Sequence, residues 1–211
     1  MRLTADEKIL VFNNRDGEFE CTLLPQSKKQ AQLKVNFQTK KYESCPDIWL
    51  MFAPLKKDRT DFVVEKATEL GASKIVPVIT EYTISDKIKI ERWQAQTIEA
   101  AEQSRRVDLP QIDEPIALSK LLENWDSRRR LYFMDETGSG TDVATVFSSA
   151  KPPLALLIGP EGGFSAQELN LLHSKPYACA VSLGKRILRA ETAVVASLSC
   201  WQAICGDWKK E

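Results

Sequence analysis

The stretch from Leu154 to Glu168, LALLIGPEGGFSAQE, constrains this chain more than any other. Leu154 to Ile158 is a short continuous apolar run, the pattern of a strand buried on both faces. Gly159, Gly162 and Gly163 follow, where the backbone can turn and a ligand can approach closely because no side chain intervenes. Ser165-Ala166-Gln167-Glu168 reads as a capping box, so a helix begins there with its amide groups open. A molecule lying against this loop meets backbone, which suits a flat, hydrogen-bonding group such as an adenosine. A phosphate cradle is disfavoured. No Gly-Lys-Ser/Thr ending is present, and Glu161 in the middle of the loop repels phosphate.

A second segment of the same kind closes the chain. Ala178 to Leu183 is a short apolar strand, and Gly184-Lys185-Arg186-Ile187-Leu188-Arg189-Ala190-Glu191-Thr192-Ala193 leads from it into a helix from about Glu191 to Cys205. That helix is apolar nearly all round, through Ala193, Val194, Val195, Ala196, Leu198, Trp201 and Ile204. It must be covered on most sides, within one subunit or in a subunit interface.

Upstream, strands and helices alternate. Ile48 to Ala53 reads as a strand, and Asp58 to Leu70 as a helix with Phe62, Val63, Ala67 and Leu70 inward and Gly71 as its stop. Lys74 to Ile79 and Leu131 to Met134 read as strands, Glu91 to Arg106 and Asp142 to Ser149 as helices. This is the pattern of an α/β fold with a parallel sheet covered on both faces. The first forty residues differ. Lys8 to Asn13 and Glu18 to Leu24 form a hairpin around Asp16-Gly17, and Leu33 to Phe37 alternates as a third strand. The polar segment Thr39 to Asp47, with Pro46, reads as a linker. The expected organisation is a small β domain, residues 1–45, and an α/β domain, residues 46–211.

The 211 residues carry 29 Lys plus Arg and 29 Asp plus Glu, so the formal charge is zero. A nucleic-acid binder of this composition must gather its basic residues on one face. Basic pairs occur at Lys28-Lys29, Lys40-Lys41, Lys56-Lys57, Arg105-Arg106 and Lys185-Arg186, and a run at Arg128-Arg129-Arg130 reads as solvated surface. The 5 cysteines have no metal-ligand spacing and no even pairing, and Cys179, Cys200 and Cys205 read as small buried hydrophobes. No run is apolar and long enough to span a bilayer, so a cytoplasmic location is expected. The single histidine, His173, reads as a helix-terminal surface residue, which weakens any triad or multi-histidine metal site.

The two glycine loops together, LIGPEGG and LGKRILRAETA, resemble those of the RNA small-subunit methyltransferase E family, within the SPOUT class of S-adenosylmethionine-dependent enzymes. The similarity extends through Lys56-Lys57-Asp58-Arg59, Glu65 to Gly71 and Glu99 to Arg106. It implies a SPOUT-type parallel sheet with a C-terminal trefoil knot, and a small PUA-like β-barrel that binds RNA. Family members begin further upstream than Met1 does here, so that barrel is expected to be incomplete. A homodimer through the C-terminal helix is also implied. So is methylation of uridine N3 in small-subunit ribosomal RNA, free or in the assembled subunit, with S-adenosylhomocysteine as product.

Leu157, Ile158, Gly159, Glu161 and Gly162 of the first loop, and Leu183, Gly184, Arg186, Ile187, Leu188 and Thr192 of the second, are the expected cofactor contacts. Glu161 either attracts the sulfonium, bonds a ribose hydroxyl, or braces the loop. Arg189 is the candidate for stabilising the uracil anion, with Glu191 orienting it or serving as base. The bland alternative is an Arg–Glu pair at a helix start. Lys56, Arg59 and Arg106 are candidate phosphate contacts, and Gln103 a base or backbone contact. Tyr82-Thr83 stands where family members often have Arg-Ser, which alters the expected RNA surface. Two other classes are weaker. Glu136-Thr137-Gly138-Ser139-Gly140 resembles the acidic-x-Gly-x-Gly loop of class I methyltransferases and dinucleotide enzymes, but too little chain follows it. A non-enzymatic RNA-binding module leaves both glycine loops unexplained.

Overall fold

A computed structural model describes residues 3–25, 30–84 and 88–209. The pair Lys28-Lys29 lies outside them. The chain divides into two compact units, Met1–Ser44 with Arg105–Leu109, and Cys45–Ser104 with Pro110–Glu211.

The smaller unit is an antiparallel sheet of β1 (Lys8–Phe12), β2 (Glu18–Leu23) and β3 (Leu33–Lys40), with β2 in the middle. The hairpin turn is closed by Asn13 and Asp16, whose side chains and backbone exchange bonds of 2.7 Å. Cys21 and Leu23 are buried. Leu33, Val35 and Phe37 are 39, 59 and 55% exposed, so the apolar stripe of β3 is open to solvent. Arg105–Leu109 joins this unit through an ion pair of Arg105 with Glu18 and a bond from the Leu109 amide to the Asn14 side chain.

The larger unit runs β4 (Ile48–Phe52), α1 (Lys57–Glu69), β5 (Lys74–Ile79), α2 (Ile90–Ser104), β6 (Gln111–Ile112), β7 (Ile116–Ala117), α3 (Leu118–Glu123), β8 (Arg130–Met134), β9 (Thr141–Asp142), α4 (Val143–Phe147), β10 (Leu154–Ile158), α5 (Ala166–His173), β11 (Ala178–Ser182) and α6 (Ala190–Ile204). The sheet is parallel, in the order β6-β5-β4-β10-β8-β11-β9, with β7 also beside β5. Because side chains alternate along a strand, each central strand feeds two cores. Leu50, Tyr132 and Leu156 enter one, covered by α1, α4 and α6; Met51, Phe133 and Leu157 enter the other, covered by α3 and α5.

Several expectations shift. Thr60, Val63, Val64 and Ala67 form the buried stripe of α1, at the spacing of one helical face. Phe62 lies off that stripe and is 41% exposed. Cys179, Cys200 and Cys205 are only partly buried, whereas Cys21 is fully buried. Within the arginine run, Arg128 is exposed, but Arg129 lies against Trp49 and binds Asp47 at 2.7 Å. Trp201 is 1% exposed within one chain, so it is a core residue of α6. Val195, Ala196, Cys200 and Ile204 make that helix's half-buried face. Among the described residues, no helix is long and apolar enough to cross a membrane.

Candidate active site

A cavity of about 520 Å³ opens at the carboxyl ends of β8, β10 and β11. Ligands collect at such ends of parallel sheets because the loops there converge. Ile158, Gly159 and Glu161 form one wall, and Leu183, Gly184, Arg186, Ile187, Leu188 and Arg189 another. Three expected contacts lie elsewhere: Leu157 is buried in the core, and Gly162 and Thr192 are exposed outside the cavity wall. Tyr82 lies to one side of Gly162; a Cβ at Gly162 would stand 3.2 Å from the Tyr82 Cβ.

The first loop is built to hold its shape. Its helix starts with the expected capping box. The Glu168 amide donates to Ser165 Oγ at 3.3 Å, and the Ser165 amide donates to Glu168 Oε2 at 2.9 Å. The other oxygen of Glu168 accepts the Glu81 amide at 2.9 Å, which pins the Tyr82 turn beside the loop. Gly163 has a φ of +70°, and a Cβ there would overlap Glu136 Oε1. Gly184, in the second loop, has a φ of +103° with nothing within 4 Å of a built Cβ. The first glycine keeps space and conformation; the second keeps conformation alone.

A third wall, Met134 to Gly138, escaped the sequence reading. It contains Glu136-Thr137-Gly138, the start of the acidic-x-Gly-x-Gly stretch. The available signal was its position directly after a central strand. Its shape comes from Asp135, which accepts from the Thr137 amide at 2.9 Å, the Thr137 hydroxyl at 3.0 Å and the Ser139 hydroxyl at 2.6 Å.

The charged groups are not paired as expected. Glu191 does not bond Arg189. It faces Arg59 of α1, whose Nε lies 3.6 Å from Glu191 Oε1 and whose Nη1 donates to Glu161 Oε1 at 3.1 Å. Glu191 is also absent from the cavity wall. Arg189, the residue before α6, is exposed on that wall and has no ion pair among the described residues. Of the expected RNA contacts, Lys56 and Gln103 are exposed. The Arg106 side chain is instead 7% exposed and grips both oxygens of Asp108, at 2.7 and 3.0 Å, so its guanidinium is engaged within the fold.

Residues 42–202 match the family model described as an RNA methyltransferase domain, and residues 1–36 the model of an RNA methyltransferase PUA domain. A ribosomal RNA small subunit methyltransferase E from Rickettsia conorii is 32% identical over 94% of this chain and 82% of its own length. The chain belongs to this methyltransferase family. The Bacillus subtilis member is 28% identical, over 94% of this chain and 82% of its own. The crystal structure of the Neisseria gonorrhoeae member, bound to S-adenosyl methionine, superposes with a TM-score of 0.88 at 30% identity, over 98% of this chain and 87% of that one. A Legionella pneumophila methyltransferase in complex with the same cofactor gives 0.84 at 30% identity, over 95 and 84%. The family resemblance, the parallel α/β architecture and the small additional β domain therefore stand.

Proposed function

We propose that this methyltransferase uses S-adenosylmethionine to methylate N3 of a specific uridine in small-subunit ribosomal RNA, free or in the assembled subunit. When bound, the cofactor supplies an electrophilic methyl group and leaves as S-adenosylhomocysteine. The residues present fit it. The cavity has room for a nucleoside, Gly159 and Gly163 leave backbone bare where a Cβ would meet Phe164 or Glu136, and Glu161 places negative charge on the wall for a cation. Relatives carrying that cofactor in superposable folds support the assignment.

The observation that carries the target chemistry is Arg189, a guanidinium on the cavity wall between the second loop and α6 with no ion pair among the described residues. Uridine N3 is a weakly acidic imide, and it becomes a nucleophile when its proton leaves. A fixed guanidinium beside the uracil oxygens stabilises the resulting anion, most effectively where water is excluded. Glu191 is assigned here as a partner of Arg59 and not as the base. Lys56 and Gln103 are proposed to touch RNA, as is the β unit, taken as residues 1–45, with residues 46–211 taken as the methyltransferase domain. A cytoplasmic homodimer is proposed, joined through the half-buried face of α6. The trefoil knot is proposed on the resemblance. The insertion of β10 between β4 and β8 and the packing of α6 on α1 are compatible with it.

The test is mass mapping of nucleosides after incubation with unmodified ribosomal RNA or subunits. The expected product is N3-methyluridine. A methyl on ribose or on a base carbon, or none on any substrate, would overturn the proposal.

A further inference from the structure

We propose that Arg59 is a positioning residue that keeps Arg189 available to substrate by holding Glu191 away from it. This rests on the methyl-transfer reading of the site. Arg59 lies in the first turn of α1, 102 residues from Glu161 in sequence, yet its guanidinium reaches a carboxylate of each neighbouring element. Glu161 belongs to the first glycine loop and Glu191 to the first turn of α6. Helix stability does not explain the arginine, because a cation in the first turn opposes the helix dipole. Lys56, the N-cap, likewise makes no side-chain cap bond.

A phosphate contact does not explain it either. One guanidinium beside two carboxylates leaves a cluster with a net negative charge, which repels RNA phosphate. The remaining role is internal. Glu191 and Arg189 are two residues apart at a helix start, where a local ion pair would neutralise the catalytic charge. Arg59 draws Glu191 Oε1 toward α1 instead, and Arg189 stands on the cavity wall with no ion pair among the described residues. Glu191 Oε2 is buried with no donor in the described chain. A buried oxygen in that condition bonds whatever donor comes within reach. Without Arg59, the nearest cationic candidate in sequence is Arg189.

The experiment compares Arg59→Ala, Arg59→Lys, Glu191→Gln and the double variant Arg59→Ala/Glu191→Gln with wild type. It measures kcat and KM for ribosomal RNA at saturating S-adenosylmethionine, over a range of salt. Arg59→Ala should lower kcat roughly 100-fold, the scale of a misplaced catalytic group, with KM and its salt dependence unchanged. Arg59→Lys should recover part of the loss, because an ammonium cannot fork to both carboxylates. The double variant should turn over faster than Arg59→Ala, since removing the Glu191 charge releases Arg189. An unchanged kcat in Arg59→Ala would overturn the inference, as would a double variant no faster than that single one. A raised KM whose salt slope falls by about one would instead make Arg59 a phosphate contact. If Arg59→Ala does not fold, Arg59→Lys against Arg59→Lys/Glu191→Gln makes the same comparison. The wild type is the separate control: if it methylates no RNA, the proposed function fails before any variant is compared.

Discussion

Gly159 to Phe164 is braced from several sides, whereas Leu183 to Arg189 stands largely in solvent. The first loop has an internal bond from the Gly163 amide to the Pro160 carbonyl, an ion pair from Glu161 to Arg59, Tyr82 against Gly162 and the Glu168 brace behind it. In the second, Gly184 to Ile187 are exposed, Ile187 by 80%, and the Gly184 amide donates to Ser182 Oγ at a long 3.3 Å. The contrast suggests a division of labour. A preformed wall recognises its ligand without paying to order itself, and a loose wall closes when there is something to close on. The residue expected to act on the substrate base, Arg189, stands at the end of the loose wall.

The largest expected effect tests that placement. Arg189→Ala should lower the methyl-transfer rate about 100-fold or more, because a fixed charge facing a developing anion contributes roughly 3 kcal/mol. Cofactor affinity by calorimetry should change much less. Arg189→Lys should restore part of the rate. Equal losses of rate and cofactor affinity would show that Arg189 serves the cofactor wall instead.

The glycines give the next contrast. Gly163→Ala combines a left-handed backbone with a clash against Glu136. Strain of about 1–3 kcal/mol is expected from the backbone alone. Melting temperature and cofactor affinity should therefore fall together. Gly184→Ala meets only the conformational strain, in a loop with open space around it. It should keep the melting temperature within about 2 °C of wild type, because an exposed loop relaxes, while cofactor affinity falls about tenfold. If Gly184→Ala melts as low as Gly163→Ala, the second loop is not the loose one. A smaller effect is expected for Ile187→Ser. A side chain 80% exposed in the free protein adds nothing to its stability. Cofactor affinity should nonetheless drop a few-fold if closure buries it, at about 25 cal/mol per Å² of apolar area.

The braced loop was also the legible one. Leu154 to Ile158, the glycines and the Ser165–Glu168 box are local signals, and each appears where the local chemistry puts it. The long elements were legible for the same reason. What escaped was set by distance in the chain. Arg59 and Glu161 meet only because α1 and the β10 loop converge, and no spacing in the sequence encodes that pair. Arg106 reads as a free basic residue until Asp108 is seen to turn back on it. The strands β6, β7 and β9 are two residues each, too short for any periodicity to register. The wall at Asp135 to Gly138 was visible as a motif, but its meaning depends on β8 lying beside β10, which is a property of the sheet.

That third wall gives the smallest effect and places it between the other two. Burial pushes the Asp135 carboxyl up, but bonds from the Ser139 hydroxyl and from the Thr137 amide and hydroxyl outweigh it, and the carboxyl sits below its ordinary value. A carboxyl lowered by folding adds stability that is present above its unfolded pKa, about 3.9, and is lost as pH falls through the folded value. Asp135→Asn keeps an acceptor oxygen but loses the charge. At neutral pH it should cost about 1 kcal/mol, which is a melting shift of about 2–4 °C for a chain of this size. The gap between variant and wild type should hold from neutral pH down to about 4 and then shrink, because below that the wild type also loses its charge. Melting curves across that range check the sign. A gap that widens with acid would mean that Asp135 is held protonated, and that the loop is shaped by a hydroxyl donor and not by a carboxylate. If the gap behaves as expected, cofactor titration of the same variant ranks the walls. A loss smaller than that of Gly163→Ala and close to that of Gly184→Ala would make the braced glycine loop the main recognition surface, with the other two closing around what it holds.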